Sequence, residues 1–124
     1  MLAADTSSLI AFFNGDKGAD VQALRDALQD ARICLPPVVI AELLSDSQSR
    51  PVTEPLVSAW PQLGIGEGYW LRAAVTRGHL LDRGLKPKLP DTLIAQSCID
   101  HDVPLITRDT GFRHFAKHCG LKLA

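Results

Sequence analysis

Short apolar runs alternate along the chain with stretches whose apolar residues recur at helical period. Leu2 to Ala4 is an apolar run that stops at Asp5, the pattern of a buried strand. Thr6 and Ser7 offer N-cap chemistry to a helix through Phe13, which Asn14-Gly15 ends. Asp20 is placed to cap a second helix, in which Val21, Leu24 and Leu28 form one stripe. Arg32 to Leu35 reads as a second strand. Pro36-Pro37 then starts a helix to about Leu44, because proline in the first turn gives up no needed N–H. Ser45 to Pro51 is polar and serine-rich, the expected mobile loop, with a short helix near Thr53 to Ala59. Gln62 to Ile65 is a candidate third strand. From Gly68 to Arg83, Leu71, Ala74, Val75, Gly78 and Leu81 keep helical spacing, with Gly84 as a stop. A helix from Asp91 to about His101 follows Pro90. Pro104 to Thr107 is another apolar strand, and Leu121 to Leu123 a candidate edge strand.

Strands separated by helices imply a mainly parallel sheet covered on both faces, so the expected class is α/β. The 124 residues form one domain, 1–124, with 46% apolar and 22% charged residues, ordinary values for a soluble globular protein. No apolar run approaches the roughly 20 residues of a membrane span. The first residues carry no basic segment ahead of an apolar one, so no secretory signal is read. Cys34, Cys98 and Cys119 have no Cys-x-x-Cys spacing and sit among apolar neighbours, as reduced thiols of a cytoplasmic protein would. A net charge of −1 gives no global attraction to nucleic acid, so any such partner needs a local patch.

Four acids change the picture. Asp5 ends the first strand, and Asp109 lies just past the Pro104–Thr107 strand. Open α/β sheets bind ligands outside the carboxyl ends of their strands, where these two would meet. Each also suits an ordinary cap or loop aspartate. Asp91 shares a helical face with Ile94, Ala95 and Cys98, which aims it at the core edge; an N-cap role fits it as well. Glu42 lies on the helical face of Val38 and Val39, either reaching out to solvent or placed for a purpose. Together, such acids repel one another and need a countercharge. A divalent ion with hard oxygen ligands supplies one, and Mg²⁺ prefers a few carboxylates plus waters and phosphate oxygens. Such an ion also activates water and stabilises a departing oxygen, which is phosphodiester hydrolysis.

The chain here resembles the PIN-domain ribonucleases, specifically the small VapC-type toxins. The resemblance is carried by Asp5-Thr6-Ser7, Ala41-Glu42-Leu43, Pro90-Asp91-Thr92-Leu93-Ile94-Ala95 and Leu105-Ile106-Thr107-Arg108-Asp109-Thr110-Gly111-Phe112. It covers essentially the whole chain. It implies a PIN-like fold and an endoribonuclease in which Asp5, Glu42, Asp91 and Asp109 bind Mg²⁺ or Mn²⁺, with Ser7 and Thr107 supporting them. It also implies a homodimer and an antitoxin partner. Gly111 stands where many relatives have a further acid, which puts a second metal in doubt. The short Ser45–Pro51 loop puts the shape of the RNA groove in doubt.

Lys86, Lys88, Arg108, Arg113 and Lys117 are candidates for a phosphate-binding rim of the kind that sets affinity and register. An ordinary solvated surface accounts for them equally well. His114, His118 and Cys119 invite a zinc site, but no third convincing ligand accompanies the pair, and surface histidines are the better reading. Trp60, Tyr69 and Trp70 fit helix packing or a dimer interface better than base stacking. Haloacid-dehalogenase-like phosphatases need a second Asp two residues after the first, and position 7 is Ser. The serious rival is a catalytically silent PIN-like module that binds RNA or a protein partner.

Overall fold

The computed structural model describes residues 1–124. Three strands, β1 (Leu2–Ala4), β2 (Ile33–Cys34) and β3 (Leu105–Ile106), form one parallel sheet in the order β2-β1-β3. Ala3 pairs with Cys34 on one side and Leu105 on the other. All three strands are short and apolar because the sheet is covered on both faces.

Helices α1 (Thr6–Phe13) and α2 (Ala19–Gln29) join β1 to β2. Helices α3 (Pro37–Leu43), α4 (Arg50–Ser58), α5 (Tyr69–Leu81) and α6 (Leu89–His101) return the chain past β1 to β3. The two crossovers step in opposite directions, so right-handed connections put their helices on opposite faces. A 3₁₀ turn (Thr110–Phe112) and α7 (Arg113–Cys119) complete the domain. The core gathers Leu9, Leu24, Val39, Ile94, Leu105, Ile106, Phe112 and Phe115, each at most 2% exposed.

Several expected boundaries differ. Asp5, not Thr6 or Ser7, caps α1. Gly18 at φ 151° occupies the cap position of α2, which leaves the Asp20 side chain free for another partner. Helix α6 begins at Leu89, so Pro90 lies in its first turn and Asp91 is its third residue, not its cap. Pro51 is already inside α4, and the preceding segment is a turn built on Asp46, which accepts from the Gln48 N–H and the Ser49 hydroxyl. The expected strand at Gln62–Ile65 reduces to one bridge between Leu35 and Gln62. That at Leu121–Leu123 reduces to one between Leu105 and Leu123. Helix α7 was not anticipated by the apolar pattern. The aromatic residues divide: Tyr69 is buried with its hydroxyl donating to the Leu93 carbonyl at 2.6 Å, and Trp60 stacks on Phe13. Trp70 remains 63% exposed.

Candidate active site

Parallel strands put the ends of β1 and β3 at one edge, and two acids follow from that alone. The Asp5 N–H donates to the Ile106 carbonyl at 3.1 Å, tying the end of β1 to the end of β3. The Asp5 carboxylate is 2% exposed. Its Oδ1 accepts the Ser8 N–H at 3.0 Å, the bond that caps α1. The Ser7 hydroxyl lies 2.9 and 3.0 Å from its two oxygens, and the Thr107 hydroxyl donates to Oδ2. Three donors on about four lone-pair sites leave this carboxylate room for one more partner. Burial pushes its pKa up, against the pull of Thr107, Ser8 and Ser7.

Thr107 connects the second acid. While donating to Asp5, its Oγ1 accepts the Asp109 N–H at 3.0 Å. One Asp109 oxygen caps the 3₁₀ turn by accepting the Gly111 N–H at 2.8 Å. The cap reading is therefore correct for Asp5 and Asp109, and it leaves each with acceptor capacity. Glu42, in the last turn of α3, is exposed and held by the Thr6 hydroxyl at 2.7 Å. A residue of α1 thus turns an acid of α3 towards the β1 end.

Asp91 ties the group together. It is half-buried at the start of α6, ahead of the buried Ile94, Ala95 and Cys98. Its pKa is pushed up to about 6, first by burial and then by Asp109, with Glu42 and Asp5 adding to the effect and Lys88 opposing it. No hydrogen bond from the protein contributes to this balance. The charges of Asp109, Glu42 and Asp5 thus all bear on Asp91. They are not drawn up into a closed ligand set: no three carboxylate, imidazole or thiol groups converge closely enough to hold an ion. His114 and His118 likewise gain no third ligand.

The donor chemistry fits a hard divalent cation: carboxylate oxygens with free lone pairs, too few local cations, and one acid whose ionisation is opposed by its neighbours. The cations expected on an RNA rim are unequal. Lys86 and Lys88 are exposed and border a recess that also includes Asp91 and Asp109. Arg113 is exposed on another side of the 3₁₀ turn. Arg108 is not free: its guanidinium pairs with Asp20, Nε to Oδ2 at 2.8 Å and Nη2 to Oδ1 at 3.1 Å, and it donates to the Lys17 carbonyl.

Sequence reasoning missed this fifth acid. Asp20 is only 10% exposed at its side chain, and it also accepts the Ser8 hydroxyl at 2.9 Å. Arg108 holds its pKa down to about 2, with Ser8 helping and burial opposing. Ser8 therefore spans two acids, its N–H on Asp5 and its hydroxyl on Asp20. Thr6 was missed too, although its place in Asp5-Thr6-Ser7 was a usable signal.

The fold and its acid-lined edge define the class: a parallel α/β domain with a group of unbalanced carboxylates outside the strand ends. A model of the PIN domain matches residues 3–118, and the chain belongs to the PIN domain family. No curated protein matches it in sequence. Solved structures similar in fold include VapBC2 from Rickettsia felis bound to a DNA fragment from their promoter. That match has a TM-score of 0.77 at 19% identity, over 99% of this chain and 96% of the other. FitAcB from Neisseria gonorrhoeae matches with a TM-score of 0.70 and 21% identity, over 100% and 97% of the two chains. A toxin–antitoxin complex from Klebsiella pneumoniae gives 0.68 and 21%, over 98% and 95%.

Proposed function

We propose that this PIN domain is a VapC-type endoribonuclease toxin that hydrolyses RNA phosphodiesters with Mg²⁺ or Mn²⁺ held by Asp5, Glu42, Asp91 and Asp109. The observation that carries the reading is Asp91, whose ionisation is opposed first by burial and then by the charges of Asp109, Glu42 and Asp5, with only Lys88 to offset them. A domain stabilised for its own sake gains nothing from that arrangement, whereas a bound dication converts the repulsion into attraction.

When bound, the ion supplies a Lewis acid that activates water and offsets charge on the phosphate. The chain's own residues do the rest. Ser7, Thr107 and the Ser8 N–H fix the Asp5 carboxylate in one orientation, with its burial keeping bulk water away. Thr107 ties the Asp5 and Asp109 positions together, so neither moves alone. Thr6 holds Glu42, leaving its second oxygen free. Lys86 and Lys88 offset RNA phosphate charge beside Asp91.

The toxin–antitoxin complex among the similar structures supports an antitoxin partner, and the resemblance to VapC-type toxins alone implies a homodimer and action in the cytoplasm. No helix is long and apolar enough to cross a membrane. A silent PIN-like module that binds RNA or protein is the second reading, favoured by the lack of a closed ligand set. Cleavage of single-stranded RNA by the purified chain, with Mg²⁺, Mn²⁺ or EDTA, separates the two when compared with Asp5→Asn. Asn is as good an N-cap as Asp, so the variant keeps its fold while losing the charge. We expect metal-dependent cleavage reduced about 100-fold or more by the substitution. Equal cleavage by both proteins removes Asp5 from the machinery, and none by either favours the silent module.

A further inference from the structure

The unbalanced acids have a basic counterpart where α5 packs on α7. His79 stands in the last turn of α5 with Arg83 just beyond it, and Lys117 and His118 stand in the last turn of α7. Arg83 Nη1 donates to the His79 carbonyl at 3.1 Å and lies 3.2 Å from its Nδ1. The charges meet across the helix contact: burial first, then Arg83, Lys117, His79 and His114, hold the His118 pKa down. None of those groups is a carboxylate. Asp82, beside Arg83 in the chain, is exposed, and neither it nor Arg83 nor Lys117 enters an ion pair of the molecule. Cys119 is a half-buried thiol that burial keeps protonated, so it offsets nothing.

Helix ends favour cations, and Arg83 on the His79 carbonyl serves the end of α5 in that way. That role does not explain His118. A histidine placed to complement a helix end is held charged, whereas His118 is driven towards its neutral form by the cations around it. His114 gives the cluster a direction. It is exposed, stands one helical turn before His118, and borders the recess that includes Asp91 and Asp109. A polyanion lying at the acids reaches Lys117, His118 and Arg83 by following α7 away from them.

We propose that the α5–α7 edge is a pH-dependent RNA-backbone site remote from the cleaved bond: Arg83 and Lys117 take phosphates there, and His79 and His118 strengthen the hold as they gain protons. The inference rests on the nuclease reading for its ligand. A neutral imidazole offers one donor, and an imidazolium offers two and a charge. The His79 Nδ1 can accept from a guanidinium only while it carries no proton. Acid therefore also ends that contact and releases Arg83 for a phosphate. Contacts of this kind set affinity and the path of the strand, not base choice.

Fluorescence anisotropy of a labelled single-stranded RNA of about 12 nucleotides, in EDTA, reads binding without cleavage. At pH 8, Arg83→Gln with Lys117→Gln is expected to weaken binding about tenfold. It should also lower the slope of log affinity against log salt by roughly 1.4, two contacts at about 0.7 each. Between pH 8 and pH 6 the native chain should gain about fivefold more affinity than His79→Gln with His118→Gln. Any gain from Asp91 losing its charge is common to both proteins and cancels. Lys86→Ala with Lys88→Ala should weaken binding and keep the pH response. An unchanged salt slope in the first variant, or an equal pH response in the second, overturns the proposal, as does a native chain that binds no RNA. Loss of the pH response in the lysine variant places it at the rim and also overturns it. Competition by a polyglutamate peptide as effective as that by unlabelled RNA of equal charge assigns the edge to an acidic protein partner, with the same consequence. Cleavage with Mn²⁺ is scored separately: an active nuclease with unaffected variants defeats the edge alone. RNA binding through the edge without cleavage upholds it and defeats the catalytic reading alone.

Discussion

Asp20, with a nearly enclosed side chain, and the half-buried Asp91 lie near one sheet edge, and their carboxylates are driven in opposite directions. Asp20 meets a bidentate guanidinium and a serine hydroxyl and is held down at about 2. Burial first, and then the charges of Asp109, Glu42 and Asp5 against that of Lys88, push Asp91 up to about 6. The first is complete within the chain and serves to fasten α2 to the loop after β3. The second has no such partner within the chain, and on the proposed function a bound cation supplies it. Burial is shared by both acids; the presence of a countercharge is what separates structure from function at this edge.

Removing the incomplete acid is the harshest way to probe this difference. Asp91→Asn should cut metal-dependent RNA cleavage about 100-fold or more. The same change should stabilise the metal-free protein by about 1 kcal/mol by relieving repulsion, a rise of a few degrees in Tm. Loss of activity with gain of stability is the signature expected of a site acid. Asp20→Asn should do the reverse. Because Arg108 is exposed, the pair is screened, and its loss should lower Tm only slightly. The response of Tm to Mn²⁺ should survive that change.

Acidity sharpens the contrast through opposite signs. Asp91 titrates higher in the folded chain than unfolded, so its contribution is fully present below about pH 3.8 and is lost as pH rises through about 6. Asp20 titrates lower when folded, so its contribution is present above about pH 3.8 and lost as pH falls through about 2. Metal-free thermal denaturation of the native chain should therefore carry a fall in Tm between pH 4 and 6.5 that Asp91→Asn lacks. Asp20→Asn should instead remove part of the loss seen on acidification below pH 4. The smallest effect belongs to Ser7→Ala, which removes one of three donors to Asp5. Cleavage should slow about tenfold with stability changed by about 1 kcal/mol.

What the amino-acid sequence disclosed follows the same division. Asp5 and Asp109 were legible because strand ends in a parallel sheet share an edge whatever the side chains are. Asp91 was legible as a carboxylate leading the buried Ile94, Ala95 and Cys98, although its helix starts two residues earlier than expected because Pro90 fits the first turn. The Asp20–Arg108 pair was not legible. Its partners stand far apart in the chain, no local pattern joins them, and Asp20 had an ordinary role available as a cap. That role went to Gly18, whose φ of 151° only glycine adopts readily. The engagement of Arg108 with Asp20 was hidden for the same reason. Helix α7 was hidden by its length: seven residues directly after a 3₁₀ turn, without a side-chain cap. Its Phe112, Phe115 and Cys119 spacing and the stop at Gly120 (φ 82°) were the available signals.

Calorimetric titration of Mn²⁺ into the metal-free chain at pH 7.5, beside Asp91→Asn and Asp20→Asn, tests the electrostatic claim most directly. Saturable binding by the native chain and by Asp20→Asn, with at least a tenfold loss in Asp91→Asn, is the predicted result. Equal binding by all three proteins, or none by the native chain, would contradict the claim that the unbalanced acids await a cation.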